Sequence, residues 1–404
     1  MRLGTTPLWK AALQIYIPSF LMMLGQGMIF PALPLIGREF DIPSEVAIQA
    51  VTALLVGKAV STIPAGAIID KWGTKGPMVA GASITVVSGL TAALAPGFAM
   101  IVVAQFLWGV GMNIWMFGRE VAAVEMVRVE QRGRQMGILM GMGSTGMAMG
   151  PVAGGVLADT VGITGLFFGY AAVGAAVLGI ALTHREPGVR HERSKTPLFN
   201  FGAVKQVHPY FRITFFILFI ATLTATVRSQ ATNTILPLYA QDQLAYSATQ
   251  TGIVFSVIGI VTFIMIVPAG VISDRFGRKW PATGSALLAG IAFVLFPMVE
   301  SILALSLVGV IIGVANGFAQ GVMTTYTYDI VPNHAKAQLQ ALRRTFSEIG
   351  GIATPVLSGV VAASYGGSGT FWFWAPLQFL AAALLILVAK ESLPRKRPKD
   401  LDQV

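Results

Sequence analysis

Two cations, Lys58 and Arg228, stand inside long apolar runs of this 404-residue chain. A charge held at the centre of such a run in lipid costs about 2.5 to 3.5 kcal/mol on an insertion scale, so each must face water or a partner. Lys58 lies twelve residues before Asp70, roughly 18 Å along a helix. Arg228 sits among Thr222, Thr224, Thr226, Ser229, Gln230, Thr232 and Asn233. Elsewhere Gln105, Trp108, Met112, Trp115 and Arg119 recur at steps of three and four, which places them on one helical stripe. Gly313, Asn316, Gln320, Thr324 and Thr327 do the same. The chemistry of these groups is recognition rather than bond-making: amides and hydroxyls bind polar atoms, indoles stack, and cations attract anions or electron-rich groups. The competing account is structural, with aromatics filling space and amides bonding between helices.

Catalytic constellations are lacking. All four histidines, His184, His191, His208 and His334, fall in loops or at helix starts, and there is no cysteine. No carboxylates pair at a ligand spacing, so metal and nucleophilic chemistry have little to stand on and no cofactor is expected. A GxxxxGK[ST] loop is missing, which argues against ATP as an energy source. Without cysteine, no redox compartment follows.

The elements that must position these residues are set by composition. With 54% hydrophobic and 11% charged residues and a mean hydropathy of +0.71, the chain lies far from the soluble average of about 25% charged. Apolar runs of spanning length predict twelve membrane helices at 11–37, 44–69, 77–95, 98–120, 134–159, 163–183, 210–240, 247–273, 280–299, 302–328, 337–364 and 368–390. The runs are continuous and lack the alternation of barrel strands. The first run follows the N-terminus with no small-residue cleavage pattern and reads as a retained helix. Of 28 Lys and Arg, Arg38 falls in an outer loop and Lys58 and Arg228 within the membrane; the rest lie in or beside segments on one side. By the positive-inside rule that side is cytoplasmic, with both termini there. The net charge of +10 is thus a topology signal, with the tail Arg395, Lys396, Arg397 and Lys399 at headgroups, and not a nucleic-acid footprint.

The chain also repeats itself. Residues 64–82 lie on residues 268–286 at a fixed shift of 204 with nine of nineteen positions identical, and the same shift pairs Gly109 with Gly313, Gly146 with Gly350, Pro151 with Pro355 and Gly155 with Gly359. Duplicated units with a midpoint connection are a common plan for secondary transporters. The predicted parts are a bundle of six helices at 1–183, a charged cytoplasmic linker at 184–209, a second bundle at 210–390 and a basic tail at 391–404.

Two motifs carry a family resemblance. Gly66, Asp70, Lys71, Gly73 and Lys75, and their copies Gly270, Asp274, Arg275, Gly277, Arg278 and Lys279, resemble the signature loop of the major facilitator superfamily, with Thr74 where the pattern prefers arginine. Glycine there lets two helices approach and turn, and the aspartate can face a helix N-terminus. Gly137, Gly146, Gly150, Pro151, Gly154 and Gly155 resemble the antiporter motif of its twelve-helix drug:proton exporters. Small residues every fourth position permit close helix contact and proline bends the helix.

The resemblance implies an all-α fold of two pseudo-symmetric six-helix bundles that rock about a midplane site. It implies that the signature loop latches the halves on the cytoplasmic side, and that the first, fourth, seventh and tenth helices line a cavity. The expected solute contacts are therefore Gln26, Lys58, Gln105, Trp108, Trp115, Arg228, Gln230, Asn316 and Gln320. No carboxylate lies near the middle of any span, so the coupling candidates are Lys58, Glu120, Glu125 and Glu348, although Glu348 with Arg344 also reads as an i,i+4 pair. The first functional reading is proton-coupled export of amphiphilic drugs or metabolites. A second is transport of an organic anion on Lys58 and Arg228, and a third a non-transporting sensor. The expected partners are a small solute, protons and the lipid bilayer of a bacterial cytoplasmic membrane, for a monomeric protein that is not an enzyme.

Overall fold

A computed structural model describes residues 12–125, 132–183, 207–332 and 336–393. His184, His191, His334, the linker up to residue 206 and the tail from residue 394 lie outside the described residues, as do the surroundings of Gly66 and the side chains of Asp70, Lys71 and Glu125. The described residues are predominantly helical, with no strand among them. After a π-turn at Ala12–Tyr16, α1 (Ile17–Ile29) leads through a 3-10 turn (Phe30–Ala32) into α2 (Leu33–Glu39) and the short α3 (Ser44–Ala47). Then follow α4 (Gln49–Trp72), α5 (Lys75–Ala93), α6 (Phe98–Glu125) and α7 (Arg132–Thr183). The later helices are α8 (Pro209–Leu238), α9 (Ala248–Phe276), α10 (Lys279–Leu295), α11 (Ile302–Ala319), α12 (Val322–Ile330) and α13 (Lys336–Leu387). Local chemistry sets several boundaries. α8 begins with Pro209 after His208, whose Nδ1 accepts the Tyr210 N–H at 3.2 Å, and α11 begins after Ser301, whose hydroxyl accepts the Ala304 N–H at 3.2 Å.

Ten helical stretches among the described residues are long and apolar enough to cross a bilayer. Two of them, Gly137–Thr183 and Leu342–Leu387, exceed twice the roughly 20 residues that one crossing needs. Each is broken at one glycine, Gly162 (φ 73°) and Gly366 (φ 69°), in a backbone region that glycine enters without strain. The expected tenth span, 302–328, is not one helix. Gln320 is extended, Gly321 has φ 80°, and α12 starts beyond them, so Thr324 and Thr327 stand on a different helix from Gly313 and Asn316. Large side chains left open on the outer surfaces, such as Val267, Leu303, Ile264 and Leu387, suit lipid rather than water.

Contacts divide the chain into two compact units, Met1–Ser194 with Ala240–Gly259, and Lys195–Tyr239 with Ile260–Val404. In the first unit, α7 lies against α1 along a ladder of glycines. A Cβ on Gly146 would overlap the Phe20 carbonyl, one on Gly150 the Leu24 carbonyl, and one on Gly154 the Met28 carbonyl. Both faces repeat every four residues, so two backbones meet along two turns of helix. The start of α9 joins this unit because it packs on the same helix: Gly252 meets the Pro151 carbonyl, Gly155 meets Ala248, and Asp159 accepts the N–H groups of Ala248 (3.1 Å) and Thr249 (2.8 Å). Nearby, Arg38 donates to the Gln241 carbonyl (3.3 Å) and pairs with Asp242 (3.4 Å).

The second unit is built on aromatics. Phe211, Phe215, Leu218, Tyr326, Leu339 and Leu385 bring α8, α12 and α13 into one core. Phe371 on α13 stacks on Phe296 with centroids 4.8 Å apart and packs against Phe293 at 5.5 Å.

Candidate functional site

Arg228 leaves α8 at a position only 2% exposed. Its Nε donates to Asn316 Oδ1 at 2.9 Å, Nη1 to Ser285 Oγ at 3.0 Å and to the Ser285 carbonyl at 3.3 Å, and Nη2 to the Ala315 carbonyl at 3.4 Å. Ser285 in turn donates to the Ala315 carbonyl at 2.7 Å. The guanidinium thus ties α8, α10 and α11 together through neutral acceptors, with no carboxylate among its partners in the described residues. Two expected contact residues, Arg228 and Asn316, are brought together here. Gln230 is half-buried two positions on, and Gln320 is exposed at the end of α11.

In the first unit, the stripe on α6 turns into its own bundle. Trp115 is fully buried, Trp108 and Gln105 nearly so, and Trp108 meets Tyr170 edge-on at 4.9 Å. Arg119 lies 5.3 Å over the Trp115 ring and pairs with Glu120 at 3.4 Å. Among the described residues, Gln105 Oε1, Trp108 Nε1, Trp115 Nε1 and Arg119 Nε find no hydrogen-bond partner, a concentration of unsatisfied polar atoms inside one bundle. Lys58 is half-buried, and its carbonyl accepts Asn113 Nδ2 at 3.0 Å; Gln26 on α1 is half-buried too. Glu348 and Arg344 form an i,i+4 pair at 3.8 Å with both side chains more than half exposed.

Sequence reasoning missed Arg343. It is 3% exposed, its Nη1 donates to Thr222 Oγ1 and its Nη2 to Gln340 Oε1 at 3.0 Å, and Gln340 Nε2 continues to Thr324 Oγ1 at 3.2 Å. The signal was the helical phase of buried Leu339, Arg343 and Ser347 at steps of four, which separates Arg343 from its exposed neighbour Arg344.

The motifs are also located. Gly146, Gly150, Gly154, Gly155 and Pro151 sit in the close contacts described above, while a Cβ on Gly137 would meet no neighbouring atom of the described residues within 4 Å. In the second signature loop, between α9 and α10, Arg278 Nη1 pairs with Asp274 at 2.9 Å and Nε with Asp329 at 3.0 Å, both inside its own unit. In the first loop, Gly73 has φ 62° and buried Thr74 precedes α5 without capping it.

Comparison with known proteins gives this architecture a family. The model of the Major Facilitator Superfamily matches residues 15–227 and again 214–403. The chain belongs to that superfamily and is a multi-pass membrane transporter of small solutes, not an enzyme. Multidrug resistance protein 1 of Bacillus subtilis (strain 168) is 24% identical over 350 residues, 85% of this chain and 87% of that protein. Multidrug resistance protein MdtG of Proteus mirabilis (strain HI4320) is 26% identical over 386 residues, 92% of this chain and 94% of that protein. Among solved structures, a POT family transporter in complex with 5-aminolevulinic acid superposes with a TM-score of 0.79 at 13% identity, covering 95% of this chain and 96% of that one. A D-xylose-proton symporter gives 0.75 at 14% identity, covering 96% and 99%. At these identities the structures speak for the fold alone.

Proposed function

We propose that the protein exports amphiphilic drugs or metabolites by alternating access, coupled to protons. The twelve crossings are counted by taking each long broken helix, α7 and α13, as two. The parts are the bundles 1–183 and 210–390 with the linker and tail on the cytoplasmic side of a bacterial cytoplasmic membrane, and the working unit is a monomer. The observation that carries this reading is the antiporter motif, whose glycines 146, 150 and 154 set α7 directly on the α1 backbone. A contact that close leaves no room for water or ions along the helix pair, as an exchanger that must not leak protons requires. The similarity to two multidrug resistance proteins along most of the chain supports the same substrate class.

The test uses purified protein in liposomes with an imposed pH gradient and ethidium as the cationic probe. Gradient-driven ethidium accumulation is expected, and accumulation indifferent to the gradient would contradict the coupling. Lys58, Glu120 and Glu348 remain the coupling candidates. Full gradient-driven flux in both Lys58→Ala and Glu348→Gln would remove those two from the list.

A second reading has its own observation. Arg228 places a guanidinium among neutral acceptors, and with Lys58 it biases the membrane interior against lipophilic cations and toward organic anions. Carboxyfluorescein in place of ethidium separates the readings. Transport of the anion that is lost in Arg228→Ala, with no ethidium transport, favours the second.

A further inference from the structure

The residues that follow α13 are tied into the second signature loop. The Glu391 carboxylate accepts four backbone N–H groups: Arg278 at 2.9 Å and Lys279 at 3.2 Å at the start of α10, and Ser392 at 2.8 Å and Leu393 at 3.1 Å of its own segment. A carboxylate at a helix start meets both unpaired N–H groups and the positive end of the helix dipole. The loop backbone is shaped around it. Gly277 has φ 108°, and a Cβ there would overlap the Glu391 carboxylate, so both conformation and space demand glycine.

Other bonds close the same knot. Ser392 Oγ donates at 3.1 Å to Asp329 Oδ2, the oxygen that also accepts Arg278 Nε. Arg278 Nη1 reaches the Ser273 carbonyl at 2.7 Å, and Lys279 Nζ the Ile386 carbonyl at 2.8 Å. Tyr326 OH donates to the Lys390 carbonyl, the Lys390 N–H donates to Thr214 Oγ1 at 3.0 Å, and its ammonium lies 3.7 Å over the Tyr210 ring. Five segments, α8, the α9–α10 loop, α12, the end of α13 and residues 390–393, meet at one point.

The repeat shows what is particular to this end of the chain. At the shift of 204, Asp274 answers to Asp70 and Lys279 to Lys75, but Arg278 answers to Thr74 and Glu391 to Pro187. At that fixed shift, then, the guanidinium and the carboxylate that fasten the second loop answer to a hydroxyl and a proline, with Glu186 one position before the latter.

We infer that Glu391 is the positioning residue of the second signature loop: it clamps Gly277–Lys279, aims Arg278 at Asp274 and Asp329, and makes loop and post-α13 segment one body. The clamp is a property of the fold, and only its effect on flux rests on the transport reading above.

The absence of native cysteine allows a direct test. Ser273 is buried beside the clamp, so a Ser273→Cys reporter in detergent-solubilised protein is expected to react slowly with N-ethylmaleimide. Adding Glu391→Ala is expected to speed labelling by about tenfold or more, through local opening of the loop. Glu391→Gln retains one acceptor oxygen and is expected to fall between, which keeps the test decisive should the alanine variant fail to fold. Truncation after Leu393 is expected to label like the full chain, and truncation after Ala389 like Glu391→Ala. Equal rates in Glu391→Gln and the parent, or equal rates in the two truncations, would overturn the clamp. In liposomes, Glu391→Gln is expected to lower the maximal rate of ethidium flux with little change in KM, because loop movement and not binding is affected; a changed KM at full maximal rate would count against it. Failure of the parent itself to move ethidium would sink the export reading and leave the labelling result to decide the clamp.

Discussion

Arg228 and Arg343 are the residues on which the second unit is knitted, and their energetics follow from what removal would leave behind. Truncating Arg228 takes the donor from part-buried Asn316 Oδ1, while the Ser285 hydroxyl keeps its bond to the Ala315 carbonyl. A buried group left unpaired costs about 1 to 3 kcal/mol. Arg228→Ala is therefore expected to lower the thermal unfolding temperature in detergent by that amount of stability, and an unchanged transition would show that the network holds little. The adjacent pair Arg343 and Arg344 makes a sharper contrast. Arg343→Ala breaks two part-buried hydrogen bonds of a buried guanidinium and is expected to cost about 1 to 3 kcal/mol. Arg344→Ala removes a 3.8 Å pair open to solvent and is expected to stay within about 0.5 kcal/mol. Equal losses in the two variants would contradict the burial pattern. Sequence alone distinguished Arg228, because a cation amid apolar and hydroxyl residues stands out. It did not distinguish Arg343 from Arg344, since both lie near a helix end where either is tolerated, and only the packed face of α13 decides between them.

At the scale of elements, the glycine ladder between α1 and α7 yields a paired expectation. Gly150→Ala places a methyl group in the Leu24 carbonyl, so the helices must separate, at about 1 to 3 kcal/mol. Gly137→Ala, whose added methyl meets no described neighbour within 4 Å, is expected to be neutral or slightly stabilising, since alanine is the better helix former. Thermal unfolding of the two variants side by side measures this, and similar losses in both would show that the motif acts through something other than contact. The same helix supplies Asp159, which caps α9 through two N–H groups. Asp159→Ala is expected to cost about 0.5 to 2 kcal/mol, the range of a lost N-cap, read by the same unfolding assay. Close packing of the motif helix was legible in its four-residue glycine spacing. The break between α11 and α12 was not, because Gly321 lies in a continuous apolar run and a glycine's positive φ leaves no mark on hydropathy. The Asp159 cap was equally hidden, for it joins residues nearly ninety positions apart.

For the whole molecule, a shift of 204 relates stretches of the two halves of the sequence, and one superfamily model matches at 15–227 and at 214–403. The membrane character and the family were therefore legible from composition and from two motifs. The placement of residues 240–259 with the first unit was not, since it depends on α9 packing against α7 across distant sequence. Nor did the stripe on α6 announce which way it faces: its spacing fixes one side of a helix, while the burial of Trp108 and Trp115 comes from the neighbours that cover them. Function at this scale reduces to one question, whether the purified chain alone carries a solute across a bilayer. Counterflow answers it most directly: liposomes holding only this protein and loaded with unlabelled ethidium should draw in labelled ethidium transiently above its equilibrium level. Uptake no different from that of protein-free liposomes, with ethidium and with carboxyfluorescein alike, would contradict transport by this chain.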